Sequence, residues 1–166
     1  MRTVRWCITL CAVVVCASAT GQDKKDNKLP DAVLKALEKP GELEVYSLDG
    51  EAKEGGDWHK WRVLGKTTVK ADDAKKAAAA LKKGVEEGES GARCFIPRHG
   101  IRVVHDKKTY DFVICFECRW VYVFTDANDK PHLFMISESP QKPLNAILTA
   151  AKVPLAKPEK PEKPEK

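Results

Sequence analysis

Between residues 92 and 137 the chain reads as one strand-like segment after another: 92–96, 100–106, 110–124 and 132–137, all rich in Val, Ile, Phe, Tyr and Trp. β-branched and aromatic side chains fit a pleated, half-buried surface. The breaks between the segments carry turn residues. Asp106-Lys107-Lys108-Thr109 is a hairpin loop, and Asp126-Ala127-Asn128-Asp129 is a second turn with Pro131 just after it. This run forces a sheet, and short links between successive strands make it mostly antiparallel. Upstream, 43–48 is a further strand, with Leu43, Val45 and Ser47 on one face and Glu44, Tyr46 and Leu48 on the other. Residues 49–57 form a glycine-rich, charged loop, and 58–69 resumes as strand with an interruption at Gly65.

The clearest helix is 71–87. Asp72 and Asp73 sit in its first turn, where the helix dipole favours acids. Ala74, Ala77, Ala78, Leu81 and Val85 recur at helical spacing and make a narrow face of small residues, suited to lying close on a sheet. The lysines opposite read as a solvated surface. Two short helices flank this unit. One opens at Leu29-Pro30-Asp31, buries Val33, Leu34 and Leu37, and stops at Pro40-Gly41; the other covers 141–151, with Leu144, Ile147 and Leu148 apolar and Pro143 in its first turn. The expected fold is therefore α+β: a mostly antiparallel sheet of about five strands with one long and two short helices, in a single domain over 29–156.

The ends differ from this domain. Arg2 and Arg5, an apolar run over 6–15 and the small-x-small Ala17-Ser18-Ala19 mark residues 1–19 as a signal peptide. An uncleaved membrane anchor is the alternative. A lipoprotein modified at Cys16 ranks below both, because Val15 is a poor residue before such a cysteine. Residues 20–28 read as a flexible lead-in. Residues 157–166 repeat Lys-Pro-Glu, which forbids helix and favours an extended, disordered spacer. The expected location is periplasmic or extracellular. Cleavage removes Arg2 and Arg5 and lowers the formal charge from +5 to +3, too mild and too mixed with acids for a nucleic-acid partner.

Cleavage also removes Cys7, Cys11 and Cys16, leaving Cys94, Cys115 and Cys118. An odd number of cysteines in an exported chain asks for a metal, a partner or one free thiol beside a disulfide. With a loop at 106–109, Val104 would lie near Asp111, Arg102 near Val113, Gly100 near Cys115 and Arg98 near Glu117. Cys118 then approaches Pro97, and Cys94 and His99 belong to the same end of the hairpin. Cys115 and Cys118 would face opposite sides of an unbroken strand, so they share a site only if the backbone bulges or turns at Phe116-Glu117.

Three readings of this cluster stay open. Cys94, His99, Cys115 and Cys118, spaced C-x4-H-x15-C-x2-C, could hold structural zinc as a Cys3His set. Two of the cysteines could form a disulfide. Cys115 and Cys118 could be a redox pair, although β-rich flanks supply no helix N-terminus to lower a thiol pKa. Arg119 stands where a c-type haem attachment needs a histidine after CxxC, which argues against that cofactor. Arg98, His99 and Arg102 form a basic cluster that either binds an anion through Arg98 and Arg102 or is paired internally, Arg98 with Glu117. Trp58, His59 and Trp61 make an aromatic ligand surface or divide between core and rim. His105 and His132 lie near turns and face solvent. The chain carries no phosphate loop, paired-carboxylate motif, HExxH or nucleotide fingerprint.

Tyr46-Ser47-Leu48-Asp49, Trp61-Arg62-Val63-Leu64-Gly65-Lys66-Thr67, Cys94-Phe95-Ile96-Pro97-Arg98-His99-Gly100-Ile101-Arg102 and Ile114-Cys115-Phe116-Glu117-Cys118 together resemble a set of small exported bacterial proteins of unassigned function. The resemblance covers roughly residues 43–155. It implies a compact exported α+β domain with the cysteine site as its shared feature, and it implies no activity. The expectation is a non-catalytic binding or structural module at the cell envelope, its hairpin stabilised by cysteine chemistry. Its partner would be an envelope protein or a small-molecule ligand. The alternative is a thiol redox protein or metal-dependent enzyme using Cys94, His99, Cys115 and Cys118.

Overall fold

The computed structural model describes residues 27–51, 56–126 and 128–157. The expected signal peptide, most of the lead-in and all but the first residue of the Lys-Pro-Glu tail lie outside the described residues. The chain runs α1 (Asp31–Glu38), β1 (Glu42–Asp49), β2 (Arg62–Val69), α2 (Ala71–Glu86), β3 (His99–His105), β4 (Lys108–Cys115), β5 (Trp120–Thr125), β6 (Asn128–Met135) and α3 (Gln141–Ala150). The six strands form one antiparallel sheet in the order β2-β1-β3-β4-β5-β6. The fold class is the expected α+β, with six strands where about five were anticipated.

The helices collect on one face. Val33, Ala36 and Leu37 of α1, Ala74, Ala77, Ala78, Leu81 and Val85 of α2, and Leu144 and Leu148 of α3 are buried there. They pack in one cluster with Leu43, Val45, Ile101, Val103, Tyr110, Phe112, Ile114, Val121 and Val123 from the sheet. The alanine stripe of α2 lets its backbone approach closely. Its one glycine is needed for the same reason: a Cβ on Gly84 would lie 2.3 Å from Cγ of Pro140. Its outward lysines pair with acids one turn away, Lys75 with Asp72 and Lys76 with Asp73. Asn27, inside the expected flexible lead-in, clips the sheet to α2. Its amide donates to the carbonyls of Val85 and Met135 and accepts from the Met135 N–H. No helix among the described residues is long and apolar enough to cross a membrane.

Three departures from the sequence reading reshape the other face. First, the β3–β4 turn is Asp106-Lys107, both at positive φ (50° and 62°), rather than the four residues 106–109. This moves β4 by two positions, so Arg102 faces Asp111 and Gly100 faces Val113. A shift of two keeps every side chain on its expected face, because the strand period is two. Second, the long segment 110–124 is broken by a tight turn at 116–119, with Arg119 at φ 58°, into antiparallel β4 and β5. Third, residues 92–96 form an irregular loop instead of a strand, and Trp58 to Trp61 is a separate turn before β2 begins at Arg62.

Candidate functional site

The face away from the helices is aromatic. Even-numbered residues of β1, β3 and β5 point to it: Tyr46 and Leu48, Gly100 and Arg102, Tyr122 and Phe124. Trp58 lies flat on this surface, stacked on Tyr46 at 4.3 Å between ring centroids with the planes 9° apart. Gly100 makes the seat. A Cβ there would sit 2.2 Å from Cζ3 of Trp58, so any other residue would lift the indole off the sheet. Beside it, Trp61, Phe95 and Tyr122 form a second group, with Phe95 stacked on Tyr122 at 4.0 Å.

A two-residue turn presents the site. Trp58 and Trp61 exchange backbone hydrogen bonds of 3.2 and 3.0 Å, and the residues between them, His59 and Lys60, have φ of 50° and 79°. Positive φ at both central positions is the geometry of a hairpin turn that favours Asn-Gly. A histidine and a lysine holding it is local strain, which persists only where surrounding contacts impose it. Three contacts of the His59 ring impose it. The His59 ring stacks on Phe124 at 3.8 Å and meets Trp58 edge-on at 4.9 Å. Its Nε2 lies 2.7 Å from Oδ2 of Asp111.

Asp111 is buried and holds both Arg102 and His59. Arg102 forks onto it, Nε to Oδ1 and Nη2 to Oδ2, both at 2.7 Å. Burial acts to raise the Asp111 carboxyl; hydrogen bonds from Arg102 and then His59, with the Arg102 charge, more than offset this and hold it below the usual carboxylate range. Arg102 is correspondingly pushed up, chiefly by its hydrogen bonds to Asp111. An ionised carboxylate accepts only, so His59 Nε2 carries the proton and the ring's orientation is fixed. The Arg102 guanidinium also lies 5.9 Å from the Trp58 ring centre. The dyad opens onto a cleft of about 410 Å³ bounded by His59, Lys60, Trp61, Asp111, Phe124 and Asp126 among others.

The structure gathers the three sulfurs at the far end of the β4–β5 ladder. The turn at 116–119 brings Cys115 and Cys118 together with Cα atoms 5.3 Å apart, and the loop before β3 brings Cys94 to 5.6 Å from Cys118. Both separations are in the disulfide range. Cys118 is therefore placed to pair with either neighbour, although a sulfur can form only one disulfide at a time. Cys115 and Cys118 are buried and Cys94 is exposed.

His99 does not join the sulfurs. It projects to the helix side, where Nε2 lies 2.6 Å from Oδ1 of Asn145 on α3 and the ring meets Phe116 edge-on. Burial lowers its pKa against the opposing Asn145 bond, and the Arg98 charge lowers it further. Among the described residues no group of three or more His, Cys, Asp or Glu side chains is arranged to hold a metal ion. Arg98 pairs with Glu117 at 3.2 Å and also donates to the Lys157 carbonyl; Arg102 belongs to Asp111. Both arginines of the expected anion site thus have internal carboxylate partners, Glu117 for Arg98 and Asp111 for Arg102.

The sequence reading named Trp58, His59 and Trp61 and the three cysteines, but not Asp111. The two-residue register error hid it: with Val113 opposite Arg102, no charge pair was visible. Compared with family models, with curated proteins and with solved structures, the chain matches none.

Proposed function

We propose that this chain is an exported, non-catalytic binding module of the cell envelope, clamped at one end by a disulfide, whose ligand surface is the cleft around His59. The observation that carries the reading is the strained His59-Lys60 turn, which holds an oriented imidazole against a buried carboxylate at the wall of an open, aromatic-lined cleft. Small-ligand sites combine a mainly apolar concavity with a few convergent polar groups. Here Phe124 and Trp61 supply flat apolar walls, and His59, Lys60 and Asp126 supply polar groups of both signs. The arrangement suits a small polar molecule with one flat apolar face, such as a saccharide ring.

The test is a binding screen on the mature protein with a panel of mono- and disaccharides, amino acids and dicarboxylic acids, read by amide chemical-shift mapping. Binding should move His59, Lys60, Trp61, Phe124 and Thr125, and Phe124→Ala should weaken it at least tenfold. Binding that maps to another surface, or that survives Phe124→Ala unchanged, overturns the assignment. N-terminal sequencing of the expressed chain tests export separately: Thr20 should be the first residue.

A further inference from the structure

The sulfur cluster lies apart from the cleft and carries its own inference. We infer that Cys94, Cys115 and Cys118 form an internal thiol–disulfide exchange site with Cys118 as the pivot, able to take up a low-molecular-weight disulfide through Cys94.

Four observations support this. Cys118 has two cysteines placed at disulfide-compatible backbone separations, so either linkage closes without moving the main chain by more than local adjustment. The Cys118 N–H donates to the Cys115 sulfur at 3.1 Å, which holds that sulfur against the Cys118 backbone. The two outer sulfurs differ in access: Cys94 is exposed, whereas Cys115 is buried. Finally, the loop bearing Cys94 is held by bonds other than the disulfide. Ala92 N–H donates to the Cys118 carbonyl at 3.0 Å, and the Trp120 indole donates to the Ala92 carbonyl at 2.7 Å. Gly91 permits this docking, since a Cβ on it would fall 2.2 Å from the Trp120 ring. Breaking the Cys94–Cys118 bond therefore leaves Cys94 beside its former partner, and the exchange is reversible.

The chemistry balances without an added oxidant. In the first state Cys94 and Cys118 share the disulfide and Cys115 is the thiol. Cys115 loses its proton to solvent, and its thiolate attacks Sγ of Cys118. The Cys115–Cys118 bond forms, the Cys94–Cys118 bond breaks, and the electron pair leaves on Cys94 Sγ, which takes a proton from solvent. One disulfide and one thiol are present before and after. The exposed Cys94 thiolate can then attack a small external disulfide, forming a mixed disulfide on Cys94 and releasing one thiolate of that molecule. A buried pair thus stores the protein's own oxidised state while the surface sulfur reacts.

The test uses the oxidised mature chain, trapped in acid and mapped by peptide mass spectrometry. Both Cys94–Cys118 and Cys115–Cys118 linkages should be present, with one free thiol per chain. Exhaustive alkylation at pH 8 should draw the whole population to Cys115–Cys118 with the label on Cys94. Incubation with hydroxyethyl disulfide should place a single adduct on Cys94. Cys115→Ser should lock Cys94–Cys118 and reduce labelling at least tenfold. Should that variant not fold, Cys94→Ser serves instead: it should hold Cys115–Cys118 and take no adduct. A single linkage that does not redistribute under alkylation, a Cys94–Cys115 bond, or three thiols bound to a metal would each overturn the inference.

Discussion

The two faces of the sheet are built from different physics. The helix side is a continuous apolar layer, in which periodic Leu, Val, Ile and Ala residues from three helices meet odd-numbered residues of β1, β3 and β5 and even-numbered residues of β4. The open side is a patchwork. Its small core of Tyr46, Leu48, Trp58 and Val113 is sealed by a loop, and charged groups lie directly against its rings. The first face gains stability from area removed from water, roughly 25 cal/mol per Å² of apolar surface. The second adds aromatic geometry and a charge network whose net contribution to stability is small or unfavourable once desolvation is counted. Stability therefore concentrates on the helix side and recognition chemistry on the other.

Substitutions can break that contrast. Phe112→Ala, on the helix side, should have the largest effect, lowering stability by about 3–5 kcal/mol in chemical denaturation, because a fully buried ring leaves a cavity. An effect below about 1 kcal/mol would mean the main core is not where the helices are. Gly100→Ala, on the open side, should cost about 1–3 kcal/mol by driving Trp58 off its seat. Tryptophan fluorescence should shift toward that of a solvated indole while far-ultraviolet circular dichroism stays unchanged.

Asp111→Asn should cost about 1–2 kcal/mol at neutral pH, as it weakens charge-assisted hydrogen bonds to Arg102 and His59. Its folded pKa lies below the ordinary value. The contribution is therefore complete above an unfolded-state pKa of about 3.9 and is lost as pH falls through the folded value. Wild type and Asp111→Asn should converge in stability as pH drops below about 3.9, and curves that stay parallel there would show the carboxylate is not responsible. Acid reaches the helix side sooner. His99 is a base held neutral by burial, so below the ordinary histidine value of about 6.5 the unfolded chain binds a proton the folded chain resists. Stability should decline from there toward the folded pKa, and His99→Gln should flatten the slope. The smallest effect should come from the exposed Lys76–Asp73 pair: Lys76→Ala should change stability by less than about 0.5 kcal/mol.

The helix side was largely legible. The α2 boundaries differ from the expected helix by one residue, and β1 extends the expected strand by one at each end. Burial on that side repeats with the period of the element, so the pattern is written locally in the chain. The open side was not. The turns at Asp106-Lys107, His59-Lys60 and Arg119 all use positive φ without glycine or asparagine, so the residues that usually signal such tight turns do not mark their positions. Each was read as strand or as part of a longer loop. The Asp111 site went unseen for that reason, since one misplaced turn changed which residue stands opposite Arg102. The sulfur neighbourhood survived the same error because a shift of two positions preserves the face and moves the pairing by about 7 Å along the strand, which leaves the cysteines at the same end of the hairpin.

By itself the sequence determined the α+β class, the face α2 buries and the hairpin end where three cysteines would meet, because periodicity and short-range connection are local properties. Only the tertiary structure decided that Trp58 would lie on Gly100, that His59 would reach Asp111 and that His99 would turn from the sulfurs toward Asn145. Those outcomes depend on which face each strand presents and on how a loop folds back over the sheet. Both are set by contacts between residues far apart in the chain.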